Sequence, residues 1–200
     1  SDYTIREYIC NFIMSKLETN TIDTVSGTTN LTIGSTNSST VTFESGAATG
    51  HMSPVFSAYS NANQTGLTQG AYTKITLNAE YFDSDGAFDV SNYRFTVPSG
   101  KAGKYLILTR YGAKTSSNSG HAIFGRIYKN GGAVTEGGLQ HVLNNHYFSG
   151  NQDQIHSGYG FFDASVGDYY ELYLQMNVQS SGTWVALGSW CSMTGYRLGA

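Results

Sequence analysis

The chain has 200 residues with 11 basic and 14 acidic side chains, a formal charge of −3. That balance excludes the basic face that nucleic-acid binding needs. Charged residues make up only 12% and aromatic residues 14%, with 15 Tyr, so solubility rests on hydroxyls and amides in a β-rich chain.

The first residues, 1–18, hold the helical pattern. Ile5, Tyr8, Ile9, Phe12, Ile13 and Leu17 recur at i, i+3 and i+4 spacing. Ser1 or Asp2 suits the cap position. This predicts an N-terminal attachment segment: either a docking helix that plugs into a partner, or an amphipathic helix packed on its own protein or on copies of itself. No signal peptide is visible, because Ile5 to Met14 is interrupted by Arg6, Glu7 and Asn11. No apolar run approaches the ~18 residues of a membrane-crossing helix, so no membrane insertion is expected.

Residues 19–50 differ in composition. Thr, Ser, Asn and Gly fill 22 of these 32 positions. Apolar residues come in spaced groups: Ile22 and Val25, then Leu31 and Ile33, then Val41 and Phe43. One chain has too few of them here to make a core. Three chains side by side would bury them along a common axis, forming a β-structured shaft. The other reading is a disordered, Thr-rich linker.

Residues 51–200 read as a succession of short strands. Pro54 to Tyr59 is the first. Lys74 to Leu77 alternates polar and apolar residues, and Tyr93, Phe95 and Val97 place large groups on every second position before Pro98 stops the run. Asp83-Ser84-Asp85-Gly86 lies between these two as a turn cluster. Tyr105 to Tyr111, which opens on the apolar run Tyr105 to Leu108, is expected to be central, followed by an exposed polar loop from Ala113 to Gly120. Ile123 to Lys129 turns at Asn130-Gly131, a strong hairpin signal. Leu139 to Leu143 is a short strand and His146 to Asp153 a loop. Ile155 to Phe162 and Tyr169 to Val178 are late strands, and Trp184 to Leu187 and Trp190 to Leu198 close the sheet. Turn signals every 8–15 residues predict an all-β antiparallel sandwich. Tyr93, Phe95, Leu106, Leu108, Ile127, Leu172, Leu174 and Tyr196 are expected in its core or an interface.

Four pieces in order also carry a family resemblance. They are Phe88, Tyr93, Phe95, Pro98, Gly103 and Tyr105; Ile127 to Gly131; Val166 to Leu172; and Ser192 to Leu198. Together they resemble the C1q and tumour necrosis factor family of jelly rolls. The resemblance implies a C1q/TNF-like antiparallel jelly roll that assembles as a homotrimer. In that family calcium is sometimes held near the trimer axis. Residues 19–50 resemble the shafts of bacteriophage fibres, where such repeats precede a globular tip.

No catalytic constellation stands out. There is no Gly-x-Ser-x-Gly elbow, phosphate loop or Cys-His pairing, so no enzyme activity is expected. Asp83, Asp85 and Gly86 superficially suggest calcium ligation, but the twelfth position of such a loop is Arg94 rather than Glu. His141, His146 and His156 match no standard metal spacing. No metal or cofactor is therefore predicted, while the family resemblance leaves calcium near the trimer axis open. Cys10 and Cys191 lie at opposite ends and suggest reduced thiols and folding in a cytoplasm.

Exposed aromatics and amides in loops suit saccharide or protein contacts. The binding candidates are Tyr111, Asn118, Asn145, Tyr147 and Asn151. The functional expectation is a bacteriophage virion structural protein, of tail or head fibre or decoration type. Its N-terminal segment would meet other virion proteins, and its trimeric tip would meet a host-surface glycan or protein. The alternative is a secreted or cell-surface C1q-like adhesion or lectin module.

Overall fold

The computed structural model describes residues 53–115, 119–134, 142–144, 148–149, 152–178 and 182–199. The expected N-terminal helix (1–18) and shaft (19–50, with Ile22, Val25, Leu31, Ile33, Val41 and Phe43) lie outside the described residues. The strands in chain order are β1 (Val55–Tyr59), β2 (Gln64–Thr68), β3 (Thr73–Lys74), β4 (Ala79–Asp83), β5 (Phe88–Asp89), β6 (Arg94–Thr96), β7 (Gly103–Thr115) and β8 (Ser119–Lys129). They continue as β9 (Gly132–Ala133), β10 (Val142–Asn144), β11 (Phe148–Ser149), β12 (Gln154–Ala164), β13 (Tyr169–Val178), β14 (Thr183–Ala186) and β15 (Ser192–Gly199). Among the described residues a single 3-10 turn, Gly188–Trp190, precedes β15.

The strands form two antiparallel sheets. The first runs β2-β14-β7-β15-β1-β4, with β12 also paired to β7. The second runs β10-β8-β13-β6-β5, with β3 on β13 and β9 and β11 on β8. Neighbours in the sheets are distant in sequence. β1 pairs with β15, and β13 pairs with β3, β6 and β8. Such long crossovers between two stacked sheets are the jelly-roll arrangement.

The core lies between the sheets and follows from period-two alternation. On β7, Tyr105, Ile107, Thr109, Tyr111, Ala113 and Thr115 point inward and are buried. On β13, Tyr170, Leu172, Leu174, Met176 and Val178 do the same from the other sheet. Phe56 stacks on Phe95 at a centroid distance of 4.4 Å, and Phe95 meets Tyr105 at 5.5 Å. Trp184, fully buried, donates its indole N–H to the Thr68 carbonyl at 3.0 Å. Phe95, Ile127, Leu172 and Leu174 are core residues as expected. Lys74 to Leu77 is a strand only at Thr73–Lys74, although Ile75 and Leu77 continue inward and are fully buried.

The Asn130-Gly131 corner is held from two directions. Asn130 adopts φ +53 and Gly131 φ +77, the left-handed geometry of a hairpin turn. The Asn130 side-chain amide donates to Asp168 at 2.8 Å and accepts from the Tyr169 N–H at 2.9 Å. Lys129 pairs with the same Asp168 carboxylate at 2.7 Å. The hairpin is thereby tied to the Gly167-Asp168 entry of β13, so two of the four motif pieces meet in space.

Candidate functional site

The described residue with the largest departure from expectation is Tyr111. It is a binding candidate by sequence, yet it is 1% exposed. The strand does not end there. β7 continues to Thr115, so parity keeps Tyr111 on the inner row with Tyr105. Its ring lies against Gly125 of β8, where an added Cβ would come within 2.3 Å of the ring. Burial pushes the phenol's pKa well above its ordinary value. The space beside it holds about 10 Å³, room for no more than a water molecule. Tyr111 is thus a packing residue and not a ligand contact.

Asn118, Asn145, Tyr147 and Asn151 lie outside the described residues. The polar loop expected from Ala113 is shorter than its sequence suggests, since β7 reaches Thr115 and β8 begins at Ser119. The expected loop at His146 to Asp153 contains the short strand β11. Of the three histidines, His141 and His146 lie outside the described residues, and His156 packs against Tyr111 with ring centroids 5.9 Å apart. The Asp-rich turn is internally engaged. Asp83 accepts N–H groups from Asp85 at 3.2 Å and Phe88 at 2.7 Å, Ser84 donates to Asp85, and Asp85 faces Lys101 at 3.7 Å. Among the described residues, no group of three or more His, Cys, Asp or Glu is placed to hold a metal ion.

What the strands assemble instead is an apolar outer face on the first sheet. The register aligns Thr194, Leu108 and Tyr159 across β15, β7 and β12, and in the next row Tyr196, Leu106 and Phe161. These side chains have the parity opposite to the core row, so they point away from the second sheet. Leu108 is 40% exposed, Tyr159 44% and Phe161 51%. The face continues on β1 and β4, where Tyr59 stacks on Tyr81 at 4.3 Å and Phe82 is half exposed. Its polar groups are largely satisfied within it. Ser57 and Thr194 share a hydrogen bond of 2.8 Å, and the Arg110 guanidinium lies 4.2 Å above the Trp190 ring. Charges sit at the margin, where Lys104 faces Asp163 at 3.4 Å. Exposed apolar side chains grouped on one face mark a candidate interaction surface.

Leu106, Leu108 and Tyr196, expected in the core or an interface, lie on this outer face and not in the core row. Tyr93 belongs to neither place. It sits at φ +52 just before β6, half-buried on the outer side of the second sheet. The sequence reading did not name Ile155, Tyr159 and Phe161. Their alternation through Ile155, Ser157, Tyr159 and Phe161, against Phe162 and Ala164 on the other parity, carried the signal.

The two antiparallel sheets and their long crossovers place the chain in the class of jelly-roll sandwiches. No protein-family model matches the chain, and no curated protein is similar to it in sequence. Among solved structures it is similar to the globular domain of a zebrafish complement 1qA protein. The identity is 14% and the TM-score 0.45, and the likeness covers 72% of this chain and 97% of that one. Murine APRIL is similar at 11% identity and TM-score 0.46, over 72% of this chain and 98% of that one. Eiger TNF from S. frugiperda is similar at 11% identity and TM-score 0.45, over 74% and 95%. The antiparallel C1q/TNF-like jelly roll that the motifs imply is the fold these strands adopt.

Proposed function

We propose that the chain is the adhesive tip of a virion fibre, a homotrimer whose three sandwiches meet through the outer faces of their first sheets. The observation that supports this is the apolar face built by Leu106, Leu108, Tyr159, Phe161 and Tyr196. A face of that composition is stabilised by burial at roughly 1.5–3 kcal/mol per large side chain, and depletion of charge at its centre is what an obligate interface requires. A closed ring uses the same face on every copy and leaves none exposed. The motif resemblance supplies the number three.

In this reading residues 19–50 form the shaft, residues 1–18 attach to other virion proteins, and Asn118, Asn145, Tyr147 and Asn151 contact the host. The tip binds and performs no reaction. A cell-surface adhesion module would need the same interface, so location separates the two. Light scattering on the intact chain tests assembly, and a trimer at micromolar concentration is expected. Immunogold labelling of purified particles tests the virion assignment. Particles free of label would move the protein to a cell surface and leave the trimer standing.

A further inference from the structure

The apolar face of the first sheet gives way to a different chemistry at Arg110. By the parity that buries Tyr105 to Thr115, the outward positions of β7 read Lys104, Leu106, Leu108, Arg110, Gly112 and Lys114. Lys104 is paired with Asp163. Among the described residues no carboxylate pairs with Arg110 or Lys114. In a chain of net charge −3, two such cations on one strand face make a local positive site. The row of Arg110 lies about 7 Å beyond that of Leu108 along the strand. The register sets Ser192 of β15 on one side of Arg110 and Ser157 of β12 on the other. Tyr59 of β1 follows in the same row and stacks on Tyr81, which is 69% exposed.

The guanidinium rests on a fixed base. Trp190 stands over Gly112, where an added Cβ would come within 2.6 Å of the Trp190 Cβ, so glycine makes the room. The Gly112 carbonyl accepts the Leu187 N–H at 2.8 Å, and the Trp190 N–H donates to the Leu187 carbonyl at 3.0 Å, which ties the turn Gly188–Trp190 to β7. Arg110 lies 4.2 Å above the ring held this way, and it is exposed. None of its N–H donors meets an acceptor among the described residues, and neither do the hydroxyls of Ser157 and Ser192. This end of the sheet is also the one remote from Ser53, where residues 1–52 join. Ser53 accepts from Lys101 at 2.7 Å beside the start of β7, and β1 runs from there toward Tyr59.

We infer that this end of the first sheet, centred on Arg110 with Ser157 and Ser192 beside it, binds a uronic acid residue of a glycan, its carboxylate paired to the guanidinium. The planar fork of an arginine matches a carboxylate, and the ring beneath it leaves that fork available. Hydroxyls on both sides complete a set of donors for the carboxylate and the sugar oxygens. Two strand spacings, about 10 Å, separate Arg110 from Tyr59, so the neighbouring sugar reaches the uncovered side of Tyr81, whose ring suits the apolar face of a pyranose. This gives the adhesive reading its ligand class and rests on it, since the site lies beyond the apolar rows and away from the point of attachment.

The test is a titration of the full chain with trigalacturonate, read by tryptophan fluorescence, because Trp190 is one of only two tryptophans and touches the site. A saturable change is expected, weaker at high than at low salt as screening demands. Hydrogen bonds to a charged group are worth about a factor of ten or more, so the neutral methyl ester of the same trisaccharide should bind at least that much more weakly. Arg110→Met should lose the same factor with an unchanged far-ultraviolet spectrum, and Arg110→Lys should fall between, having charge without the fork. Equal binding of the methyl ester, undiminished binding by Arg110→Met, or no response to trigalacturonate overturns the proposal. Equal binding of acetate reduces the site to one for simple anions, and equal binding of a hexaglutamate peptide makes it one for acidic chains of any kind; either overturns the assignment to a sugar. Light scattering on the same samples separates the two readings. A trimer that ignores trigalacturonate refutes this inference alone, and a monomer that binds it refutes the assembly alone.

Discussion

The two outer faces of the sandwich are built from similar amounts of aromatic residue and behave oppositely. On the first sheet Leu108, Tyr159 and Phe161 stand exposed with little polar company. On the second, each tyrosine has a neighbouring ring or cation, as in Tyr128 on Tyr173 and Tyr169 under Arg94. The first face lacks a partner for its apolar surface. The second packs its rings against one another and under cations. Aromatic content therefore says little about a surface, and what is placed between the rings decides how much apolar area it exposes.

The largest expected effect comes from charging the apolar face. Leu108→Asp with Phe161→Asp should convert the proposed trimer to monomer at micromolar concentration, because each carboxylate would have to be buried unpaired. Tyr173→Asp on the other face should leave assembly unchanged, and light scattering compares the two. Next is Lys74→Met, which strips Glu171 of its partner beneath the second face. It should destabilise the domain by about 3 kcal/mol, and Lys74→Met with Glu171→Leu should recover part of that; denaturant midpoints read both.

Gly125→Ala tests the joint between the sheets. The new methyl meets the Tyr111 ring at 2.3 Å, so a loss of about 2 kcal/mol is expected, relieved by adding Tyr111→Leu. A smaller effect comes from Asp168. Burial pushes its pKa up, but hydrogen bonds from Lys129, Asn130 and Ser165 outweigh this and hold it below the usual value. A carboxylate with a lowered folded pKa stabilises above its unfolded value and loses that contribution as pH falls through the folded one. Unfolding free energy from thermal melts should therefore decline below about pH 4, by about 1 kcal/mol less in Asp168→Asn. The smallest is chemical. Burial raises the Cys191 thiol to about 11, so iodoacetamide at pH 8 should leave it unmodified in the folded protein, as peptide mass mapping would show.

Much of the fold was legible in the sequence. The Asn130-Gly131 turn, the Gly167-Asp168 entry and the alternation on Tyr169 to Val178 appear where the pattern put them. The assignment of faces was less so. Tyr105 to Leu108 is apolar on both parities, and a run apolar on both sides does not say which side meets the other sheet. Tyr111 was misplaced for a related reason. Its strand continues through Gly112, Ala113 and Lys114, residues that carry little strand signal of their own and are held by pairing with β12 and β14. The second face was illegible because Tyr72, Arg94, Arg126 and Tyr173 come from four separate stretches and meet only through the register.

The clamped corner at Asn130 has a consequence for how the protein ages. An asparagine followed by glycine is the pair most prone to spontaneous deamidation, in which the next backbone nitrogen attacks the side-chain amide carbon. Here that amide is held on both its nitrogen and its oxygen, by Asp168 and Tyr169, and the attack requires it to swing free. The same two bonds make any damage that does occur conspicuous. Conversion to a carboxylate would replace a donor facing Asp168 with a like charge, loosening the entry of β13. The corner is thus a slow clock, wound by the folded state and released when the hairpin opens.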